Sequence, residues 1–130
     1  FMQKCVACHA NDGQGKKDST EKYFLYPPLW GKNSFNSTAG LFRLSRISGF
    51  VKANMPLGTT YQTPLLTDEE AWDVAAYICN QPRPVKKIPK DWPDVSKKPF
   101  DFPFAPYADS FSEQQHKLGP YQQIISAQRK

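Results

Sequence analysis

The chain has 130 residues, enough for one domain, and its 17 basic and 12 acidic residues give a net charge of +5. No apolar run approaches the length of a membrane-spanning segment, so no membrane span is expected. The lysine pairs are Lys16-Lys17, Lys86-Lys87 and Lys97-Lys98. Because they are scattered rather than clustered on a nucleic-acid-binding motif, no nucleic-acid partner is expected either.

The first motif that carries chemistry is Cys5-X-X-Cys8-His9. Two thiols at this spacing face the same edge of a porphyrin and can add to its vinyl groups, while the adjacent imidazole can bind the iron. A zinc half-site would need a second Cys/His pair at ligand spacing, and Cys79 and His116 stand far apart. A thioredoxin-like dithiol would need a βαβ unit, which nothing here predicts. We therefore expect one covalently bound haem c.

The next part of the chain predicts a long loop followed by a helix. Residues 10–36 are rich in Gly, Lys, Asn, Ser and Pro without a sustained period, and loops of that length are usually functional. After them, Ser37 or Thr38 can cap a helix that ends before Pro56. Its apolar positions recur at helical spacing. They are Leu41, Leu44, Ile47, Phe50 and Val51.

A second helix is predicted to begin at Thr67-Asp68-Glu69-Glu70. This run has the form of a capping box, in which the Thr67 and Glu70 side chains each accept a hydrogen bond from the backbone of the other. The helix continues until Pro82, which forbids further helical hydrogen bonding.

Residues 83–130, which we call the strap, differ in composition from the rest of the chain. Seven of the twelve prolines lie between Pro82 and Pro106, which by itself would suggest disorder. Disordered segments are poor in aromatic residues, however, and this one is rich in them. We therefore predict a haem domain at residues 1–82 and an extended, largely polyproline-like strap that packs on this domain or on a neighbour.

The second axial position of the iron calls for Met, His, Lys or Cys, or stays open. Met55 is favoured, because Met2 lies on the wrong side of the attachment motif and Met55 directly follows a helix in Asn54-Met55-Pro56-Leu57-Gly58. An ordinary core methionine is the alternative interpretation of Met55. The other candidate ligands are His116, Lys52 and Cys79, of which Cys79 is more simply explained as a buried structural thiol.

Taken together, the motifs resemble class I cytochrome c across residues 1 to about 81. The matching segments are Cys5-X-X-Cys8-His9, Pro27-Pro28-Leu29-Trp30-Gly31, Asn54-Met55-Pro56 and Ala76-Tyr77-Ile78. The resemblance implies an all-α fold with long loops, whose N-terminal helix is largely missing here. It also implies that the Pro27 carbonyl accepts a hydrogen bond from His9, and that Leu29 packs on the haem. We expect Trp30 and Phe50 to pack there too, and Phe1 to lie near Tyr77.

A narrower resemblance, to the second haem domain of dihaem thiosulfate dehydrogenases, covers nearly the whole chain. It is carried by Tyr26-Pro27-Pro28-Leu29-Trp30-Gly31, Lys52-Ala53-Asn54-Met55-Pro56-Leu57-Gly58, Gln81-Pro82-Arg83-Pro84 and Phe111-Ser112-Glu113-Gln114-Gln115-His116. Members of that family are periplasmic and join two thiosulfates into tetrathionate at a catalytic haem in the first domain. This chain has no second CxxCH, so that domain is absent from it.

The resemblance implies a non-catalytic electron-transfer domain with His9 and Met55 as axial ligands. Its partner would be a redox protein or an upstream haem domain, in the periplasm or another extracytoplasmic compartment. The alternative is a fragment of a complete thiosulfate dehydrogenase or tetrathionate reductase. A third interpretation is a gas sensor or peroxidase in which Met55 leaves the iron.

Overall fold

A computed structural model describes residues 1–129 and is mostly helical, as expected from the sequence. The helices are α1 (Val6–His9), α2 (Leu44–Asn54), α3 (Asp68–Cys79), α4 (Glu113–Leu118) and α5 (Gln122–Gln128). Short 3₁₀ turns form at Gly40–Phe42 and Val95–Lys97. Among residues 1–129, no helix combines the length and the apolar character that crossing a membrane requires.

The segment predicted as a long loop contains a small antiparallel hairpin. Strand β1 (Lys16–Lys17) pairs with β2 (Phe24–Tyr26), with an irregular register between them. The turn is organised by the Asp18 side chain, which accepts hydrogen bonds from Thr20 Oγ1 and from the backbone N–H of Lys22. The hairpin spans the distance between the attachment motif and the Pro27 segment.

The core lies where α2 packs against α3. Both helices bury residues at helical spacing, and the small Ala71 and Ala75 on α3 allow α2 to approach closely. The buried apolar residues of this core are Trp30, Phe42, Leu44, Ile47, Val51, Leu66, Ala71, Val74, Ala75, Ile78 and Cys79. Since α2 leads directly into Met55, this packing sets where the Met55 backbone lies.

The predicted start of α3 is confirmed. Thr67 Oγ1 accepts a hydrogen bond from the Glu70 N–H at 3.1 Å, and Glu70 Oε2 accepts one from the Thr67 N–H at 2.9 Å. At the other end, Arg83 Nη2 donates to the Ile78 carbonyl at 2.7 Å. The carbonyl groups at the end of α3 are thus partly satisfied by the residue that follows Pro82.

The predicted cap of α2 is wrong. The helix begins at Leu44, several residues beyond Ser37, whose hydroxyl instead accepts a hydrogen bond from the Lys86 N–H at 3.0 Å. A backbone N–H group in the first turn of α2 finds its hydrogen-bond acceptor in the strap. The Asp101 carboxylate, fully buried, accepts hydrogen bonds from the Ser45 N–H at 3.1 Å and from the Arg43 guanidinium at 2.8 Å. An acidic group at a helix N-terminus is favourable for the free N–H groups and for the helix dipole.

At its C-terminal end the strap differs from the extended conformation predicted for it, because α4 and α5 form there. The Ser112 hydroxyl caps α4 by accepting a hydrogen bond from the Gln115 N–H, and Gly119 ends the helix with a positive φ. The buried Ile124 of α5 secures the last helix. Before Ser112 the strap contacts the domain through Asp101 and through Phe104, which stacks on Phe42 with ring centroids 5.8 Å apart.

We expect Asp101→Ala to destabilise the fold by about 3–5 kcal/mol, because it leaves the partly buried Arg43 cation and the Ser45 N–H without their acceptor. Guanidinium-induced unfolding of the holoprotein, followed by circular dichroism, measures this change. Asp94→Ala is the matched control, since Asp94 also accepts hydrogen bonds but is exposed, and its loss should have a much smaller effect. Equal unfolding midpoints for the two variants would contradict the role of Asp101.

Candidate functional site

Helix α1 is a single turn that brings the attachment motif together. Cys5 caps the turn, and its carbonyl accepts hydrogen bonds from the N–H groups of Cys8 and His9 at 3.2 and 2.9 Å. Residues three apart on a helix share a face, so the two cysteines lie on one side of the turn. Both thiols are free and half-buried, and burial raises the pKa of Cys5. The arrangement offers two thiols to one edge of a ligand, beside a buried imidazole.

The orientation of His9 is fixed by its hydrogen bond to Pro27. Nδ1 lies 2.9 Å from the Pro27 carbonyl oxygen, and because a carbonyl only accepts, Nδ1 carries the proton and donates. The other nitrogen, Nε2, therefore keeps its lone pair, and it makes no hydrogen bond within residues 1–129. An imidazole held in this way has the orientation that a metal ligand needs.

Three further hydrogen bonds tie the attachment motif to the segment that carries Pro27. The Gly15 N–H donates to the His9 carbonyl at 2.9 Å, and the Leu29 N–H donates to the Gly13 carbonyl at 2.8 Å. The side chain of Gln14 donates to the Trp30 carbonyl at 3.1 Å. The backbone from His9 to Gly15 is thus held against the Pro27 segment, which keeps the Pro27 carbonyl within reach of the imidazole.

The turn at Gly13 needs glycine for two reasons that sequence analysis did not identify. Its φ is +66°, in the left-handed region, and a Cβ placed there would lie 2.3 Å from the Trp30 ring. Trp30 is itself wedged between Phe1 and Tyr77, with ring centroids 5.2 and 5.7 Å away. Phe1 also lies 5.4 Å from Tyr77, which places it as expected. Trp30 therefore braces the turn against α3.

Met55 lies at the end of α2, where its N–H donates to the Val51 carbonyl at 2.9 Å and its side chain packs partly buried against the core. The chain around it exposes several large apolar side chains. They include Phe50, Leu57 at 77% exposure, Tyr61 at 82% and Leu65 at 57%. Exposed apolar surface at this density is typical of a binding surface, and together with the partly buried Leu29 it suits the apolar faces of a porphyrin.

His116 makes its contacts within the strap and not with the attachment motif. It is buried, with Nδ1 2.8 Å from the Phe100 carbonyl and Nε2 3.0 Å from Asp109 Oδ1, and the Tyr107 ring stacks on it at 3.6 Å. Both nitrogens are therefore occupied by contacts with oxygen atoms of the fold, and neither is presented to a metal. The imidazole instead links α4 to the part of the strap that precedes it.

Lys52 and Cys79, the other candidate ligands, are also committed to contacts within the fold. The Lys52 ammonium donates to the Leu66 carbonyl at 2.7 Å and lies 2.9 Å from Asp68 Oδ1. The buried Cys79 thiol points to the Phe42 carbonyl, and burial raises its pKa to about 11. Among residues 1–129, no cluster of three or more His, Cys, Asp or Glu side chains could hold a metal ion. Met55 is the candidate whose donor atom is not used elsewhere.

Comparisons with known proteins give a consistent result. The family model described as cytochrome c matches residues 1–82. Thiosulfate dehydrogenase from Allochromatium vinosum is 46% identical over 89 residues, which cover 68% of this chain and 32% of that protein. Thiosulfate dehydrogenase from Stutzerimonas stutzeri is 43% identical over 84 residues, covering 65% of this chain and 26% of the relative. The chain thus spans a third or less of the length of these relatives.

A solved structure is similar as well. The thiosulfate dehydrogenase TsdBA from Marichromatium purpuratum, in its as-isolated form, superposes with a TM-score of 0.60 at 37% sequence identity. The match covers 78% of this chain and 21% of that one. It therefore includes residues beyond the 82 that the family model matches.

We expect Gly13→Ala to destabilise the holoprotein by about 3 kcal/mol or more, because the new methyl group adds backbone strain to overlap with Trp30. The yield of haem-containing protein and its unfolding midpoint measure the effect. Gly58→Ala is a matched control, since Gly58 also has a positive φ but has open space around it. It should cost only about 1–2 kcal/mol. An equal cost at both positions would mean that contact with Trp30 is unimportant.

Proposed function

We propose, from the premise that this chain belongs to the cytochrome c family, that it binds one haem c covalently and transfers electrons through it. Cys5 and Cys8 would form the thioether links, and His9 and Met55 would bind the iron on opposite faces. Leu29, Trp30 and Phe50 would pack on or beside the macrocycle. The single observation that carries the proposal is the 2.9 Å hydrogen bond from His9 to Pro27, because it aims Nε2 from the same turn that presents both thiols.

A bound haem supplies an iron that takes up and releases one electron. The protein would hold the two axial ligands in place and keep other molecules from reacting at the iron. The Pro27 carbonyl keeps the proton on Nδ1 of His9, so that Nε2 keeps the lone pair that would bind the iron. A thioether such as that of Met55 is a weak donor that raises the reduction potential by favouring the ferrous state. With a side chain assigned to each axial position, no position is left for a substrate, which favours electron transfer over catalysis.

The relatives suggest the setting in which such a domain would work. They are thiosulfate dehydrogenases, and this chain covers 32% or less of each of the two described above. We infer that the chain is the electron-exit module of a periplasmic, thiosulfate dehydrogenase-like dihaem cytochrome. Its electron donor would then be an upstream haem domain and its acceptor a separate redox protein.

A second candidate function is that of the complete enzyme. Residues 1–129 contain one attachment motif, whereas the proposed parent would need a second haem for catalysis. If the chain is a fragment of a thiosulfate dehydrogenase or tetrathionate reductase, activity requires the part of the relatives that lies outside the match. The mass of the native polypeptide and its haem content per chain distinguish this candidate from a separate module.

Met55→Ala should abolish the weak red charge-transfer band of ferric iron bound to a thioether, because no other methionine can replace Met55. Optical spectra of the ferric holoprotein test this. Met2→Ala is the control, since Met2 is exposed and close to the attachment motif, and its loss should leave the band unchanged. A band that survives Met55→Ala shows that the ligand assignment is wrong.

The isolated chain should not convert thiosulfate into tetrathionate in the steady state, although a chemical reductant should reduce its haem. The physical reason is that His9 and Met55 would occupy both axial positions of the iron, so that no coordination position is open to the sulfur of the substrate. Tetrathionate formation with a chemical electron acceptor measures turnover. Sustained turnover by this chain alone would replace the module with an enzyme.

A further inference from the structure

We propose that Lys52 is a positioning residue for Met55: it closes the base of the segment 56–66 and thereby holds the thioether in place to bind the iron. The inference rests on the proposed ligation by His9 and Met55. It assigns Lys52 a role different from that of an alternative ligand, because its ammonium group is already occupied by two oxygen acceptors.

The contacts of Lys52 join the two ends of this segment. Lys52 lies on the last turn of α2, three residues before Met55. From there its ammonium reaches the carbonyl of Leu66, the last residue of the segment, at 2.7 Å, and Asp68 in the first turn of α3 at 2.9 Å. One side chain thus ties the point where the chain leaves α2 to the point where it enters α3.

Little else holds the segment. Its backbone hydrogen bonds are local turns, from the Thr59 N–H to Pro56 and from the Thr63 N–H to Thr60. Within the part of the chain that the structure describes, the Lys52–Leu66 bond is the only hydrogen bond between residues 56–66 and the rest of the protein. Most of the segment is exposed, and only Leu66 is buried in the core. A segment with few tertiary contacts opens easily, so the bond that closes its base controls how often it does.

The two contacts of Lys52 differ in weight. The Asp68 side chain is 87% exposed, so that ion pair is screened by water and contributes little. The Lys52 side chain is only 29% exposed, and its bond to the Leu66 carbonyl is a charge-assisted hydrogen bond at a partly buried site. The Leu66 contact is therefore the one that positions Met55.

The consequence can be measured as ligand exchange. An external ligand such as imidazole binds the ferric iron only in molecules whose Met55 has dissociated, so its apparent affinity rises with the population of that state. Losing one charge-assisted hydrogen bond should raise this population about tenfold. The readout reports on the Met55 position and does not depend on electron-transfer activity.

The experiment is an optical titration of the ferric holoprotein with imidazole. We expect Lys52→Leu to bind imidazole about tenfold more tightly than wild type, and Lys52→Arg, which keeps a charged donor, to return towards wild type. Asp68→Asn should stay within about twofold of wild type. Lys97→Gln should do the same, because Lys97 forms an exposed ion pair with Asp94 at 3.5 Å in the strap, and neither side chain bonds to the segment. Lys52→Gln keeps most of the side chain without its charge and replaces the leucine variant should that one fail to take up haem.

Two results would overturn the inference. If Lys52→Leu lowers thermal stability but leaves imidazole affinity and the charge-transfer band within about twofold of wild type, Lys52 is structural only. Met55→Ala tests the premise separately, because removing a true ligand must strengthen imidazole binding more than any Lys52 variant does. If Met55→Ala has no effect, the proposed ligation falls, and the role of Lys52 falls with it.

Discussion

The hydrogen bond between His9 and the Pro27 carbonyl is the contact on which the rest of the site depends. It joins two segments that are 18 residues apart, and the hairpin between them has to close for it to form. Beside this hydrogen bond, the Trp30 ring packs against the turn at Gly13, and the Leu29 N–H donates to the Gly13 carbonyl. A proline is suited to the acceptor position. Its carbonyl oxygen can accept a hydrogen bond like that of any residue, and its ring limits the motion of the backbone that carries it.

Helix α2 connects the strap, which contacts its first turn, to Met55, which follows its last turn. Asp101 accepts a hydrogen bond from the Ser45 N–H in its first turn, and Lys52 in its last turn bonds to the Leu66 carbonyl and to Asp68 of α3, so both ends are held by contacts with residues outside the helix. The core contacts of α3 hold its middle. The segment that matches the cytochrome c family ends at residue 82, yet the acceptor for the Ser45 N–H lies at residue 101. The family match therefore ends before the residue that completes the first turn of α2.

Sequence reasoning worked where the signal is local. The capping box lies within four residues, and the structure forms it at the first turn of α3; the attachment motif lies within five residues, and the structure folds them into one helical turn. It failed where distant residues complete a local structure. Nothing near Leu44 indicates that Asp101 will cap α2, and strands of two and three residues are too short for an alternating pattern. The close contact of Gly13 with Trp30 is likewise visible only once the segments are brought together.

The environment of Cys79 has a consequence for how the three thiols of this chain behave during maturation. Thiol–disulfide exchange and alkylation proceed through the thiolate, and a pKa of about 11 leaves almost none of that form at neutral pH. With α3 packed, Cys79 is only 2% exposed and largely protonated, so it reacts with oxidants and alkylating reagents more slowly than an exposed thiol does. The packing of α3 thus shields one of the three thiols and leaves the two half-buried thiols of the attachment motif as the accessible ones within residues 1–129.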